Sequence, residues 1–507
     1  MPSKAVFYKR QTDKVIMEKV FQITKPEEMG LDSTHILRFL KRVKEKRINL
    51  HSFMLVRSGK VLAEGYYKPF HKDYMHRLYS ASKTFVALAI GLLYTEKKIN
   101  LEDRLIDFFP DKVEHREDKW LAETTVEDAL KMSLPISGTT YSDLKYDDWV
   151  WTCFNRQEGV KPSGTIFGYN TSASFLLCAI VERITGVTFL KYLRGVFEKI
   201  GVSKDIWCVK SPDGYAWGGS GVVCTMRDFA KVGQLILNKG AWKGKQLISR
   251  EYIERMISKQ IANCNNNLFS SRKSCGYGYQ TWITDCGFCV TGLGSQLVFG
   301  FPDKEFMFVC NGDTQASGDY AGDYLYDLVK YELYENLCDC VLPETKYGQL
   351  VDTLEKLQLD GAWGENSSPF KEEINGAVYT LRDNPMGWKN FSLSFEENGG
   401  VLRYENARGK KEIPFAMNEF LQTKFPETHY FDTQIGVAGN REFHCLSAGT
   451  WVEEKKFLLR VYITDNCLGN VFITFGFKGN EVGIGMQKIG EFYLNDYVGL
   501  TGGEKTN

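Results

Sequence analysis

The distribution of apolar residues changes after Leu342, and this change limits what the chain can fold into. Before it, apolar residues recur at helical spacing in several segments, among them residues 34–47 and 172–185, with strand patterns between them. After it, short segments alternate apolar and polar residues and are separated by glycine-rich turns. A chain of 507 residues is also too long for one ordinary domain. The sequence therefore predicts a first domain of helices and strands over residues 1–342 and an all-β barrel or sandwich over residues 343–507.

Charge and hydropathy argue against several classes of partner. The 63 lysines and arginines equal the 63 aspartates and glutamates in number, so no basic excess indicates nucleic acid or an acidic membrane surface. The longest apolar run, over residues 84–94, is far shorter than the ~20 residues that a membrane-spanning helix needs. The first ten residues contain no apolar core of a signal peptide. We therefore expect a cytoplasmic protein that binds neither nucleic acid nor membrane, and the sequence leaves a homo-oligomer open.

The cysteines give little indication of a metal or redox centre. Their number, 13, is odd and they are scattered along the chain, as is usual for reduced thiols in a large cytosolic protein. Two close pairs occur, Cys286 with Cys289 and Cys338 with Cys340. Neither pair has the second dithiol or the neighbouring histidines of a zinc site. We therefore expect no metal and no other cofactor.

One short stretch has the composition of a nucleophile and its base. Ser80 and Lys83 stand three residues apart where a polar loop becomes an apolar helix, so their side chains share one helical face. A serine hydroxyl becomes a good nucleophile only when a nearby group removes its proton. A lysine can do so when burial lowers its pKa from ~10.4 towards ~7–8. The backbone N–H groups at the helix N-terminus can stabilise an oxyanion, so this geometry suits acyl transfer.

The same Ser-x-x-Lys spacing recurs without that context. The other pairs, none of which opens an apolar helix, are Ser142 and Lys145, Ser270 and Lys273, and Ser368 and Lys371. A short motif is only a hypothesis until its structural context is known. The alternative interpretation of Ser80 is a helix cap followed by a solvated lysine, and the rest of the chain must distinguish the two.

Residues 139–168 form a second notable stretch. They lack regular periodicity and are rich in aromatic and acidic residues, and a long loop in a compact domain is usually functional when it is ordered. We therefore expect a wall of a substrate cleft here, with Trp149 and Trp151 contacting substrate, while a plain cover for the core stays open as the alternative. Further along, residues 289–301 and 305–311 have the pattern of two paired strands.

The order of several motifs resembles that of the β-lactamase-related serine hydrolases. This group includes class C β-lactamases, D-alanyl-D-alanine carboxypeptidases, bacterial esterases and 6-aminohexanoate-oligomer hydrolases. The resemblance covers residues 20–335 and rests on residues 78–85, 98–110, 125–133, 164–170, 218–230, 276–280 and 291–296. It implies an α+β fold in which an antiparallel sheet is flanked by helices, with an inserted helical region and the active site between them.

The resemblance also implies roles for individual residues. Ser80 would be the nucleophile, Lys83 the proton acceptor, and Tyr169 the phenol that passes a proton to the leaving group together with Lys83. The backbone N–H groups of Ser80 and Leu293 would form the oxyanion hole, in which a single donor is typically worth ~3–4 kcal/mol. Gln296 would either contact substrate or only satisfy the edge of its strand.

Two departures from the family pattern bear on the substrate. Many relatives have Tyr-x-Asn at the second motif, whereas here Asn170 directly follows Tyr169 and Thr171 stands third. Val290 replaces the lysine of the Lys-Thr-Gly strand, so the cation that would hold a substrate carboxylate is missing. Loss of such a contact, ~1.5–3 kcal/mol, would weaken β-lactam recognition roughly ten- to a hundredfold. We therefore expect a serine hydrolase that acts on a small ester or amide, with a catalytically silent binding or scaffold protein and a D-amino-acid peptidase as the alternatives.

Overall fold

The computed structural model describes residues 21–114, 117–139, 147–263, 275–318, 321–432, 442–465, 467–490 and 493–506. Its contacts divide the chain into two compact units, Met1–Leu357 and Gln358–Asn507. The sequence pattern indicates an earlier boundary, after Leu342. The difference arises because the helix Tyr347–Glu355 packs within the first unit and buries Leu350.

The strands of the first unit lie in one large sheet and two small ones within the described residues. They are β1 (Gln22–Ile23), β2 (Leu50–Arg57), β3 (Lys60–Tyr66), β4 (Met75–Arg77), β5 (Trp207–Cys208), β6 (Val222–Thr225), β7 (Ala241–Trp242), β8 (Lys245–Gln246), β9 (Trp282–Thr284), β10 (Gly287–Gly292), β11 (Gln296–Phe301) and β12 (Phe306–Gly312). The large sheet has the order β1-β3-β2-β12-β11-β10-β9. Its pairs are antiparallel, apart from the short β1 beside β3, which confirms the antiparallel sheet.

Helices surround this sheet. They are α1 (Ser33–Glu45), α2 (Ser82–Thr95), α3 (Lys119–Ala122), α4 (Val126–Leu130), α5 (Trp149–Asn155), α6 (Thr171–Thr185), α7 (Phe189–Tyr192), α8 (Arg194–Ile200), α9 (Met226–Leu237), α10 (Arg250–Met256), α11 (Ala321–Leu328) and α12 (Tyr347–Glu355). Helices α2 to α10 all lie in sequence between β3 and β9. This arrangement confirms the inserted helical region that the resemblance implies.

Helices cover both faces of the sheet, and neighbouring residues of a strand point to opposite faces. On one face, Phe39 of α1 packs its ring 5.6 Å from Phe308 of β12. On the other face, α9 approaches β12 so closely that a Cβ on Gly233 would lie 2.8 Å from the sulfur of Met307. Met307 and Phe308 thus contact helices on opposite faces, and the sheet lies between two helical layers.

One predicted strand is divided in the structure. Residues 289–301 were expected to form a single strand paired with residues 305–311, but the chain turns at residues 293–295 and makes β10 and β11. The expectation is wrong because Gly294 and Ser295 have φ values of +75° and +71°, a left-handed conformation that no strand adopts. The turn brings Leu293 to the end of the sheet.

The described strands of the second unit form an all-β barrel, which confirms the predicted class. They are β13 (Val378–Leu381), β14 (Asn390–Phe395), β15 (Gly399–Asn406), β16 (Gly409–Met417), β17 (Leu421–Phe425), β18 (Phe443–Glu453), β19 (Lys456–Ile463), β20 (Gly469–Lys478), β21 (Glu481–Gly490) and β22 (Gly499–Lys505), with a short helix, α13 (Lys371–Ile374), ahead of them. Nine of these strands close in the order β16-β15-β14-β13-β22-β21-β20-β19-β18, because β18 pairs with β16. Inward-facing aromatic residues such as Phe391, Phe457 and Phe475 fill the interior.

The barrel also encloses a carboxylate. Glu427, just after β17, is completely buried. One of its oxygens accepts hydrogen bonds from the Tyr404 hydroxyl at 2.9 Å and from the Asn406 amide at 2.7 Å. His429 places its Nδ1 3.4 Å from the other oxygen. Since a buried charge must be compensated by hydrogen bonds or a partner, this cluster ties β15 to the segment after β17.

No helix in the described part of the chain is long and apolar enough to cross a membrane.

Candidate active site

Ser80 lies in a tight turn that runs directly into a buried helix. The turn is a 3₁₀ helix, Tyr79–Ala81, and α2 begins at the next residue. Tyr79 has a φ of +47°, a left-handed conformation that costs a residue with a side chain about 1–3 kcal/mol. The Arg77 guanidinium packs 4.5 Å from the centre of the Tyr79 ring and supports this conformation. The turn leaves Ser80 partly exposed at the N-terminus of a helix that is fixed in the core.

Lys83 lies beside Ser80 and is almost fully buried. Only 2% of its surface is exposed. Its Nζ donates to Ser80 Oγ at 3.1 Å and to the carbonyl oxygen of Gly219 at 2.6 Å. The amine is therefore held within proton-transfer distance of the serine hydroxyl, as the spacing of the two residues predicts.

The other described Ser-x-x-Lys pair has a different geometry. Ser368 Oγ donates to the carbonyl oxygen of Glu454 at 2.6 Å and accepts from the N–H of Phe370. Lys371 Nζ donates to the carbonyl oxygen of Glu396 at 3.4 Å. This serine is thus a local cap whose lysine binds elsewhere. The pairs Ser142 and Lys145, and Ser270 and Lys273, lie outside the described residues.

A glycine turn supplies the carbonyl that Lys83 binds. Gly219 approaches α6 so closely that a Cβ would lie 2.5 Å from Thr171 Cγ2. Arg77 holds the next residue, because its Nε donates to the carbonyl oxygen of Ser220 at 2.9 Å and its Nη2 to Ser220 Oγ at 3.1 Å. The buried Arg77 therefore fixes both neighbours of the site, the turn before Ser80 and the turn that positions Lys83.

Tyr169 completes the group. Its ring centre lies 5.1 Å from Lys83 Nζ, and the ring stacks on Trp282 at 5.6 Å. The next residue, Asn170, does not present its side chain to this site. Its Oδ1 caps α6 by accepting from Ser172 N at 2.9 Å, and its Nδ2 donates to the carbonyl oxygen of Gly138 at 3.0 Å. The asparagine beside the tyrosine is therefore a structural cap in this chain.

An aromatic cluster next to Tyr169 was not found from the sequence. The Phe167 ring lies 5.0 Å from Tyr277 and 5.7 Å from Trp282, which in turn contacts Tyr277 edge to face at 5.0 Å. Burial raises the pKa of the Tyr277 phenol well above its ordinary value, so this phenol stays neutral. The segment 276–280 marks the neighbourhood in the sequence, but only the fold shows that Trp282 faces Tyr169.

The end of β10 meets the nucleophile turn. A Cβ on Gly292 would lie 2.0 Å from the carbonyl oxygen of Leu78 and 3.1 Å from the N–H nitrogen of Ala81, so only glycine fits. The following Leu293 is partly exposed, and its backbone N–H donates to no acceptor among the described residues. An N–H that follows this close approach and donates to no other described group suits the oxyanion hole that the resemblance implies.

The structure corrects two of the predicted substrate contacts. Trp149 has no exposed surface and packs edge to face on Phe175 and Trp217 at 5.4 and 5.5 Å, so a substrate cannot reach it. Gln296 is likewise fully buried and engages backbone carbonyls. Trp151 is partly exposed and its indole N–H donates to Glu114 at 2.8 Å, so a contact with substrate stays a prediction.

The surroundings of these tryptophans also differ from the expected irregular loop. Residues 149–155 are helical because Asp148 caps α5 by accepting from Trp151 N at 2.9 Å. Residues 140–146 of the expected cleft wall lie outside the described residues.

The cysteines differ from expectation at one place. Cys338 and Cys340 form a disulfide with their Cα atoms 5.4 Å apart. The expectation of reduced thiols is therefore wrong for this pair. Cys286 and Cys289, the second close pair, form no disulfide. Within the described residues, no three histidine, cysteine, aspartate or glutamate side chains converge in a way that could hold a metal ion.

Comparison with known proteins adds two relatives. A 6-aminohexanoate-dimer hydrolase from Paenarthrobacter ureafaciens is 25% identical over 255 residues, which span 46% of this chain and 64% of that enzyme, just under two thirds of its length. The crystal structure of a penicillin-binding protein homologue from Caulobacter crescentus superposes with a TM-score of 0.50 at 17% identity. That match covers 61% of this chain and 99% of the homologue, and at this identity it shows the fold alone.

A family model supplies the classification. The model described as Beta-lactamase matches residues 38–329, more than half of the chain and most of the first unit. The matched range contains Ser80, Lys83, Tyr169 and Leu293. Together with the antiparallel sheet and its inserted helices, this match shows that the chain belongs to the β-lactamase family.

Proposed function

We propose that this protein is a serine hydrolase that cleaves a small ester or amide through an acyl-enzyme on Ser80. The observation that carries the proposal is the 3.1 Å contact between the buried Lys83 Nζ and Ser80 Oγ at the mouth of α2. Two further groups contact the Lys83 amine, the Gly219 carbonyl and the Tyr169 ring, and the strand end at Gly292 lies against the turn that carries Ser80. A helix cap with a solvated lysine would need none of them.

Acylation begins with proton transfer between the two central residues. A neutral Lys83 amine accepts the Ser80 proton as Oγ bonds to the substrate carbonyl carbon. The carbonyl oxygen becomes an oxyanion and accepts hydrogen bonds from the N–H groups of Ser80 and Leu293. The carbonyl of Gly219 holds the resulting ammonium in place, since it is already a partner of Lys83 Nζ.

Collapse of the tetrahedral intermediate requires a proton on the leaving group. The Tyr169 hydroxyl donates this proton and regains one from the Lys83 ammonium, so Lys83 returns to the neutral amine. The C–O or C–N bond of the substrate breaks and the acyl group stays on Ser80. Water then attacks the acyl ester on Ser80 and gives up a proton to the same residues. The bond between Ser80 Oγ and the acyl carbon breaks, Ser80 Oγ takes that proton back, and the acid is released.

The strand beside the site indicates the substrate class. Val290 is aliphatic and only 2% exposed, so its side chain offers no cation to a substrate carboxylate. Loss of a charge-assisted contact worth ~1.5–3 kcal/mol disfavours β-lactams and D-alanyl-D-alanine peptides. The relative named for a 6-aminohexanoate dimer supports a linear amide without a recognised carboxylate beside the scissile bond. A small linear amide or ester is therefore the preferred substrate class.

Steady-state kinetics on a panel of substrates test this proposal. The panel consists of short p-nitrophenyl esters, linear aliphatic amides, D-alanyl-D-alanine peptides and nitrocefin. We expect ester or amide hydrolysis, nitrocefin turnover at least tenfold slower, and loss of activity in Ser80→Ala but not in Ser368→Ala. A nitrocefin rate equal to the ester rate would contradict the substrate class. Activity that survives Ser80→Ala would contradict the mechanism, and a wild-type protein inert towards the whole panel would support a silent binding protein.

A further inference from the structure

The turn between β10 and β11 positions the proposed oxyanion donor, and its conformation needs support. Residues 293–295 make the turn, with φ values of +75° at Gly294 and +71° at Ser295. The left-handed region is unfavourable for serine, which carries a side chain. The turn therefore keeps its shape only if contacts outside it hold the peptide units in place.

Every carbonyl of the turn accepts a hydrogen bond. Gly292 O accepts from Ser295 N at 3.1 Å, and Gly294 O accepts from Thr314 N at 3.2 Å. Ser295 O accepts the weaker bond of the Cys310 thiol at 3.3 Å. Leu293 O accepts from a side chain, the Nε2 of Gln296, at 3.0 Å.

The bond to Gly292 O sets the direction of the oxyanion donor. Gly292 O and the Leu293 N–H belong to one planar trans peptide, so they point in opposite directions. When Ser295 N holds the carbonyl on the inner side of the turn, the Leu293 N–H must point outward. This bond lasts only while Ser295 stays in place, and the next peptide unit determines that position.

Gln296 fixes that next unit. Its Nε2 donates to Leu293 O at 3.0 Å and also to Gly312 O at 2.7 Å. Its Oε1 accepts from Asn311 Nδ2 at 2.8 Å. Gln296 and Asn311 have no exposed surface, and the bonds to Gly312 O and from Asn311 Nδ2 are buried, so water cannot replace these two. Loss of a buried donor there would cost free energy, which holds the Gln296 amide in place for its partly buried bond to Leu293 O.

The anchor of this clamp lies in the middle of the sheet. Asn311 and Gly312 end β12, where its pairing with β2 shifts register. Asn311 pairs with Ser52 and Gly312 with Leu50. At this end of β12, the Gly312 carbonyl and the Asn311 side-chain amide both bond to Gln296, so the clamp joins the turn to a central strand.

We propose that Gln296 is a positioning residue for the oxyanion hole, acting through the Leu293 peptide and supported by Asn311. The inference rests on the proposed function of Ser80. It assigns to Gln296 a role other than substrate contact, since its amide is consumed by the clamp. Without the clamp, the Leu293 N–H loses its fixed direction while substrate binding to the rest of the site is retained.

The variant Gln296→Met tests this role because methionine fills nearly the same volume without hydrogen bonds. The Ser80 phosphonylation rate by a fluorophosphonate is the readout, since the phosphoryl oxygen occupies the oxyanion hole. We expect this rate constant and kcat for a p-nitrophenyl ester to fall roughly ten- to a hundredfold, less than the ~10²–10³ lost when a donor is deleted outright. KM should stay within about twofold, because ground-state binding does not use the oxyanion donors.

Two further variants separate positioning from general destabilisation. The matched control is Gln234→Met, which removes a glutamine buried on α9 whose amide donates to Asn238. We expect no change in its phosphonylation rate constant per active site. Asn311→Ala leaves Gln296 in place but frees its Oε1, so a smaller loss of roughly three- to tenfold is expected. It also tests the proposal if Gln296→Met does not fold. In the double variant, Asn311→Ala should add almost nothing to Gln296→Met.

The outcomes are distinct. A rate constant per active site that falls in Gln296→Met and Asn311→Ala, with unchanged KM and an unaffected Gln234→Met, supports the clamp. A wild-type rate constant in a folded Gln296→Met protein, or additive effects in the double variant, overturns it and leaves the proposed function intact. If the wild-type protein carries no label on Ser80, the proposed function fails, and this inference fails with it.

Discussion

β10 closely approaches the nucleophile turn at Gly292, and substitution there has a calculable effect. In Gly292→Ala the new methyl group would lie 2.0 Å from Leu78 O and 3.1 Å from Ala81 N. A carbon and a carbonyl oxygen normally approach no closer than ~3.3 Å, so the strand end or the turn must move by roughly 1 Å. Both neighbours are backbone atoms and cannot rotate away. The displacement separates Leu293 from Ser80. The backbone N–H groups of these two residues must act on the same substrate oxygen.

A misplacement of ~1 Å can cost about 10²-fold in rate, which corresponds to about 2.7 kcal/mol of transition-state stabilisation. We therefore expect kcat/KM for a p-nitrophenyl ester to fall about a hundredfold in Gly292→Ala. The matched control is Gly195→Ala in α8, where no atom lies within 4 Å of the new Cβ. It should keep full activity and gain about 0.5–1 kcal/mol of stability. A folded Gly292→Ala protein with wild-type kcat/KM would refute the proposed arrangement of β10 and Ser80.

Three further predictions follow from single residues. Tyr169→Phe keeps the ring on Trp282 but removes the proposed proton donor. Hydrolysis of an alkyl amide should therefore slow at least tenfold more than that of a p-nitrophenyl ester, whose leaving group needs no proton, and equal losses would argue against a proton relay. Burial lowers the pKa of His76 to about 3, so the unfolded chain takes up this proton first and stability is lost as the pH falls from ~6.5 towards 3. Urea unfolding of His76→Leu should show a decline between pH 6.5 and 4.5 that is smaller by roughly 1–3 kcal/mol, and an unchanged decline would contradict the burial argument. Glu427→Leu leaves the Tyr404 hydroxyl and the Asn406 amide without this acceptor, at a cost of about 1–3 kcal/mol of folding free energy each. The barrel should unfold at lower denaturant concentration while Ser80 labelling is retained, and unchanged unfolding would show that these bonds contribute nothing.

The parts of the fold that depend on periodicity could be predicted from the sequence. The helix that begins at Ser82, the hairpin of β2 and β3 and several barrel strands lie close to their expected positions because each buries a run or an alternation of apolar residues that the sequence displays. The turn at residues 293–295 could not be predicted this way. Its residues are flanked by apolar strands on both sides, and the hydrogen bonds from Cys310 and Thr314 that support its left-handed backbone are brought to it only by the fold.

The same distinction holds for the candidate site. Ser80 and Lys83 are neighbours along one helix, so their spacing alone predicts contact. Partners from distant segments needed the fold: Trp282 stacks on Tyr169, and Arg77 links the turn at Tyr79 to Ser220. Gln296 shows the limit most clearly, because its sequence neighbours give no sign that its amide is engaged by Asn311 and two backbone carbonyls.

The most direct measurement for the proposed function is the covalent labelling of the nucleophile. The intact protein is treated with a fluorophosphonate, digested and mapped by peptide mass, alongside Ser80→Ala and Ser368→Ala. The second variant is the matched control because Ser368 has the same spacing to a lysine but binds other partners. We expect one label on the peptide that contains Ser80, its loss in Ser80→Ala and its retention in Ser368→Ala. A label on another serine, or labelling that persists in Ser80→Ala, would contradict the assignment of Ser80 as the nucleophile.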